Sequence, residues 1–180
     1  MEVILELLKY TVPALVVLLA SYLIVNKFLI TEMQRKQIAL FQETQNITLP
    51  LRLQAYERLA IFVERLHPRQ LIPRIYQPGM TVSDLQQAVA FNIRSEFEHN
   101  LSQQVYVSRE VWETVKGVKE QELNMINVMA SQLSPEAPAK DLHMRIVEVV
   151  LKNTSELPTD VALQIINDEC KRVLARGPQA

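Results

Sequence analysis

The run from Tyr10 to Val25 carries no charge, with Lys9 on one side and Asn26-Lys27 on the other. Extended through Leu7-Leu8 and Phe28-Leu29-Ile30 it covers 24 residues. As a helix that is about 36 Å, enough for a hydrocarbon core of about 30 Å. Nine of its residues, Val12, Leu15, Val16, Val17, Leu18, Leu19, Leu23, Ile24 and Val25, together favour insertion by roughly 4 kcal/mol. Pro13 lies near one end, where it costs little. The expectation is one membrane span with Tyr10, Val17 and Val25 among its residues.

Two other readings fit less well. A secretory signal peptide begins with positive charge and ends at a small-x-small cleavage site, whereas this chain opens with Glu2 and Glu6, and Ser21-Tyr22-Leu23-Ile24 offers no such site. A buried core helix seldom runs this far without a polar face. Only Lys9 precedes the run, while Lys27, Arg35 and Lys36 follow it, so the positive-inside bias puts the C-terminal part in the cytoplasm. Tyr10 and Phe28 suit the two interfaces, with Lys27 snorkelling outward.

Beyond residue 30 the chain holds 17 of the 19 Lys and Arg and 18 of the 20 Asp and Glu, a net charge of −1. Such a balance is no footprint for nucleic acid. These 150 residues suffice for one core of their own, and three glycines in the whole chain point to helices rather than turn-rich sheets. Cys170 is the single cysteine, which precludes an internal disulfide and agrees with a reducing compartment. In that setting the Asn-x-Ser/Thr matches at Asn46, Asn100 and Asn153 are chance.

Neither glycine nor proline interrupts Ala14 to Leu49, so the first helix is expected to continue to about Gln45 with Ile30, Met33, Gln37, Phe41 and Thr44 on one narrow stripe. Pro50 is expected to open a second helix, with Leu53, Tyr56, Leu59, Ala60, Val63 and Leu66 at three- and four-residue intervals until His67-Pro68. Pro68, Pro73 and Pro78-Gly79 read as a loop. Thr81 or Ser83 caps a third helix carrying Leu85, Val89, Ile93, Phe97 and Leu101, and Val105-Tyr106-Val107 reads as an extended connector. Ser108 caps a fourth helix with Val111, Trp112, Val115, Val118, Ile126, Met129 and Leu133, closed by Ser134-Pro135. A fifth stripe joins Leu142, Ile146, Val147, Val150 and Leu151. Pro158 opens a sixth helix with Val161, Ile165, Ile166, Cys170 and Val173, and Gly177-Pro178 stops it. Each helix is apolar on one face, which a bundle buries.

The fold class is therefore all-α: one N-terminal transmembrane helix followed by a cytoplasmic helical bundle of about five helices. Its parts are an anchor over 1–30, a juxtamembrane helix over 31–48, a bundle over 49–177 and a tail over 178–180.

One constellation suggests chemistry. Glu64 with His67, and Glu96 with His99, match the Glu-x-x-His spacing of di-iron carboxylate bundles. At 100° per residue, however, His99 falls about 160° from Phe97 around its helix, away from the apolar face. His67 also sits at a helix end beside Pro68. No metal, cofactor or catalytic residue is assigned. His143 beside Lys140-Asp141 reads as a solvated first turn, Cys170 as an inert small hydrophobe, and Trp112 with Met125 and Met129 as core packing.

The segment Leu49-Pro50-Leu51-Arg52-Leu53-Gln54-Ala55-Tyr56-Glu57-Arg58-Leu59, shortly after a single N-terminal span, resembles an uncharacterised family of small membrane proteins of the Bacteroidetes group. The similarity extends to Ser108-Arg109-Glu110-Val111-Trp112-Glu113. It implies a bacterial inner-membrane setting and supplies no catalytic residues. Read physically, Arg52, Tyr56, Glu57 and Arg58 combine an apolar stripe with hydrogen-bonding rims and are candidate partner contacts, against the alternative that the arginines pair with nearby carboxylates.

The function expected is a membrane-tethered helical scaffold or adaptor. It contacts membrane lipid and docks a protein partner, or copies of itself as a homo-oligomer, at the cytoplasmic membrane surface. The alternatives are a metal-dependent enzyme using Glu64, His67 and a third-helix carboxylate, and a stalk-like subunit of a membrane complex, the latter opposed by Pro50, Pro68, Pro73 and Pro78.

Overall fold

A computed structural model describes residues 2–152 and 157–175, with side chains from residue 11 onward except residue 14. The described residues are helical throughout, apart from connecting turns and one isolated bridge between Thr81 and Pro138. Six helices follow in order: α1 (Glu2–Leu66), α2 (Pro68–Ile75), α3 (Val82–His99), α4 (Arg109–Ala130), α5 (Ala139–Lys152) and α6 (Pro158–Ala175). The chain divides into two compact units, Met1–Thr48 and Leu49–Ala180.

In the first unit, α1 includes an apolar stretch long enough to cross a membrane. Its large apolar side chains from Val12 to Ile30 are 50–69% exposed. Met33, Leu40, Phe41 and Ile47 farther along are exposed as well. Thr31, Thr44 and Thr48 turn their hydroxyls back to the carbonyls of Lys27, Leu40 and Thr44, each at 2.9 Å. Such back-bonding lets threonine sit in a helix interior.

Pro50 does not open a second helix, as its sequence context suggests; α1 runs through it to Leu66. A proline there removes one N–H bond and crowds the preceding turn, a penalty of about 3 kcal/mol confined to that turn. Downstream, burial of Tyr56, Leu59, Phe62, Val63 and Leu66 at 1% exposure or less contributes roughly 1.5–3 kcal/mol per large side chain and outweighs it.

The second unit closes around that stripe. Leu71 and Ile72 of α2, Val82, Leu85, Val89 and Ile93 of α3, Val111, Val115 and Ile126 of α4, Leu142 and Ile146 of α5, and Ala162 and Ile166 of α6 share one core. Trp112 and Met129 belong to it and Met125 packs against it, as their helical spacing implies. Pro68 and Pro73 fall in a helix rather than a loop. Pro68 occupies the first turn, where its missing N–H is unneeded. The buried Leu71 and Ile72 hold the short helix in place despite Pro73.

Local chemistry sets the other boundaries. Thr81 and Asp84 form a reciprocal capping box, with Asp84 N–H donating to Thr81 Oγ1 at 3.1 Å and Thr81 N–H to Asp84 Oδ2 at 3.0 Å. Val82 N–H and Ala139 N–H donate to the Ala137 and Met80 carbonyls at 2.9 Å, joining the starts of α3 and α5. Ser108 caps α4 by accepting from Val111 N–H at 3.2 Å. Gly79, with φ of 91°, supplies the left-handed turn before Thr81.

The expected extended connector Val105-Tyr106-Val107 is instead the end of a 3-10 turn over Leu101–Val105, followed by a turn at Tyr106 and a bend at Val107. Gln103 N–H and Tyr106 N–H bond three residues back, each at 3.0 Å, and so complete the local turn. Pro158 opens α6 as expected. Gly177-Pro178 lies outside the described residues, as do the side chain of Tyr10 and Asn153.

Candidate functional site

The four candidate contact residues divide in two. Arg52 and Tyr56 turn inward. The Tyr56 ring is 1% exposed, and its hydroxyl donates to Glu169 of α6 at 2.5 Å. Arg52 Nη2 donates to the Tyr56 hydroxyl at 3.3 Å, and its Nε to the Tyr106 carbonyl at 3.2 Å. Glu169 also accepts from Ser108, through the backbone N–H at 3.1 Å and through the hydroxyl. One carboxylate thereby ties the end of α1, the cap of α4 and the second half of α6 together.

The electrostatics follow from those contacts. Burial first, then the hydrogen bond to Glu169, pushes the Tyr56 hydroxyl up to about 12. Burial alone would raise the Glu169 carboxyl, but bonds from the Ser108 hydroxyl, Tyr56 and the Ser108 backbone, together with Arg52, outweigh it and hold the group below its ordinary value. Glu57 and Arg58 point outward.

Arg58 opens onto a groove of about 460 Å³ lined by Arg58, Ile61, Phe62 and Arg65 on α1 and, on the other side, Asn92, Ser95, Glu96, His99 and Asn100. On each helix the lining residues recur at three- and four-residue steps, so each presents one face. Phe62 forms the floor, 6.0 Å from the Phe97 ring, which stacks on Trp112 at 5.4 Å. Arg65 Nη1 reaches both oxygens of Glu96, at 3.1 and 3.2 Å, and Arg74 approaches the same carboxylate at 3.6 Å. Arg74 also donates to Asn92 Oδ1 at 3.0 Å.

The two Glu-x-x-His pairs are otherwise engaged. Glu64 accepts from Gln70 at 3.1 Å, while His67 Nδ1 accepts from Arg69 N–H at 3.1 Å and caps α2. Glu96 is held by arginines, and His99 is exposed, as its angular position indicates. Among the described residues no three His, Cys, Asp or Glu side chains converge as a metal site would require. His143 is half-buried against Tyr76, at 5.7 Å between rings, rather than solvated; Lys140 and Asp141 beside it are exposed.

Two functional-looking groups escape sequence reading. Glu169 is one of three acids on α6, and its partners lie 61 and 113 residues away, so no local pattern announces them. Glu122 sits inside α4 at 2% exposure, and burial pushes its carboxyl up to about 7. A signal for it exists: Glu122 continues the apolar three- and four-residue spacing from Val115 and Val118 to Ile126 and Met129.

Comparison with known proteins adds the family. A model described as a family of unknown function, DUF7935, matches residues 2–173. The chain belongs to that family. No curated protein and no solved structure matches it. The DUF7935 match covers both the apolar stretch of α1 and the helical core, and its description assigns no reaction, ligand or partner.

Proposed function

We propose that this DUF7935 member is a single-pass, membrane-tethered helical docking module of the bacterial inner membrane, with its C-terminal domain in the cytoplasm. The observation that carries the reading is the contrast within one chain. The described large apolar side chains from Val12 to Ile30 are all at least half exposed, whereas the second unit, though it leaves some apolar side chains open, closes a core in which Tyr56, Leu59, Leu85, Ile93 and Leu142 are at 1% exposure or less. A water-soluble protein rarely leaves so much contiguous apolar surface open. Lipid around the first set supplies the missing apolar solvent. The basic residues Lys27, Arg35 and Lys36 after the stretch support the cytoplasmic orientation.

The mechanism is confinement. A tether raises the effective concentration of the core near other membrane-bound components, so a modest interface is occupied. The outward pair Glu57 and Arg58 is the proposed contact, with a protein partner or a second copy as occupant. Arg52 and Tyr56 shape that surface from behind.

A photo-reactive residue placed at Glu57 in the full-length protein tests this in intact membranes. The expected result is retention in the membrane pellet after alkaline extraction, with one discrete adduct formed from position 57 and not from Asp160 on α6. Recovery of the full chain in the soluble fraction without detergent, or identical adducts from both positions, would overturn it. The continuation of α1 through Pro50 supports a second reading, a stalk-like subunit of a larger membrane complex. Native electrophoresis of gentle detergent extracts would show that as one assembly several times the mass of the chain.

A further inference from the structure

The groove beside Arg58 is rich in donors and poor in acceptors. The side chains of Arg58, Ser95 and His99 have no hydrogen-bond or ion-pair partner among the described residues. Arg65 spends only Nη1 on Glu96, leaving Nε and Nη2 available. The Asn92 side-chain oxygen accepts from Arg74, and its amide N–H₂ has no acceptor among the described residues. Glu96 is the one carboxylate in the lining, and two arginines cover it. Two lining guanidiniums, Arg58 and Arg65, against that one carboxylate leave the lining at +1, in a chain whose net charge is −1, and Arg74 adds a third guanidinium on Glu96.

We infer that this groove binds the phosphate monoester group of a small ligand, with Arg58 and His99 as direct holders, Arg65 and Ser95 as further donors, and an apolar body resting on Ile61. A phosphate monoester carries roughly −1.5 to −2 at neutral pH and accepts at three oxygens, which suits a positive lining with several unused donors. Arginine forks suit phosphate oxygens better than a point cation does. The volume of about 460 Å³ lies in the range of small-ligand sites, roughly 300–1,000 Å³. Ile61 is 46% exposed beside these charges, a wall that an inorganic ion would leave uncovered and an organic body would cover.

The inference shares Arg58 with the docking role but requires no protein partner, so purified protein tests it alone. Full-length protein in neutral detergent is titrated calorimetrically with phenyl phosphate and, separately, with dihexanoyl phosphatidic acid. Phenol serves as the uncharged control. Saturable binding of phenyl phosphate is expected, weakened about tenfold or more, equivalent to about 1.4 kcal/mol, by Arg58→Gln and by His99→Gln, and unchanged by Asp160→Asn. Binding of the phosphatidic acid alone would support the same chemistry and identify a lipid headgroup as its source. No saturable binding of either compound, or binding that Arg58→Gln and His99→Gln leave intact, would overturn it. Circular dichroism of each variant separates lost binding from lost fold.

Discussion

Two glutamates of the helical core show how surroundings decide what a carboxyl does. Glu122 is buried with its Oε2 lacking any hydrogen-bond partner among the described residues, and burial pushes the group up to about 7 from 4.5. The folded protein therefore keeps the proton where the unfolded chain has lost it. The stabilising contribution is complete below about pH 4.5 and disappears as pH rises through about 7. Glu122→Gln removes that dependence. At pH 8 the variant should be more stable than the parent by on the order of 2–3 kcal/mol, and near pH 4.5 the two should converge; denaturant midpoints at the two pH values measure it. Glu169 runs the other way. It is held below its ordinary 4.5, so its contribution is present above that pH and is lost as pH falls. Tyr56→Phe deletes one donor to it and should cost about 2 kcal/mol, the scale of a hydrogen bond to a charged group. The same change should also shrink the acid-side loss, which chemical denaturation across pH 3 to 7 would show.

At the scale of the element, what was legible in the sequence was whatever short-range chemistry decides. Thr81 or Ser83 before Leu85, Ser108 before an apolar run and Pro158 at a helix start each act on backbone groups within one turn; the structure takes Thr81 of the first two, and Ser108 and Pro158 mark their helices. The misread elements are those where distant contacts outvote local preference. Pro50 and Pro73 look like breaks, yet the buried faces beside them keep α1 and α2 helical. Val105-Tyr106 looks extended, yet Arg52, 54 residues away from Tyr106, takes the Tyr106 carbonyl. In the candidate site, Arg52 and Tyr56 could be singled out because they decorate an apolar stripe. Their inward role depends on Glu169, which no pattern near them reveals. The capping box gives this contrast a test. Thr81→Ala should destabilise the core by about 1 kcal/mol and Thr81→Ser much less. Equal losses from the two would mean that the methyl group, rather than the hydroxyl, fixes the start of α3.

At the scale of the whole molecule, one family covers residues 2–173 and both compact units, although the two meet different demands. The first unit leaves its described large apolar side chains from Val12 to Ile30 open, while the second holds a core of buried side chains running from Tyr56 to Ile166. If the core is self-sufficient, a chain of residues 49–180 should purify without detergent, show helical circular dichroism and unfold in one cooperative transition. The full-length protein should need detergent or lipid to remain dispersed. The transition is the decisive part. A helical fragment that melts gradually would show that the upstream half of α1 stabilises the core across Pro50, and the penalty of that proline would then fall on the whole domain instead of one turn. A cooperative transition, by contrast, would place the folding energy in the packing of α1 from Ala55 to Leu66 against α2 through α6 and leave the upstream residues without a part in it.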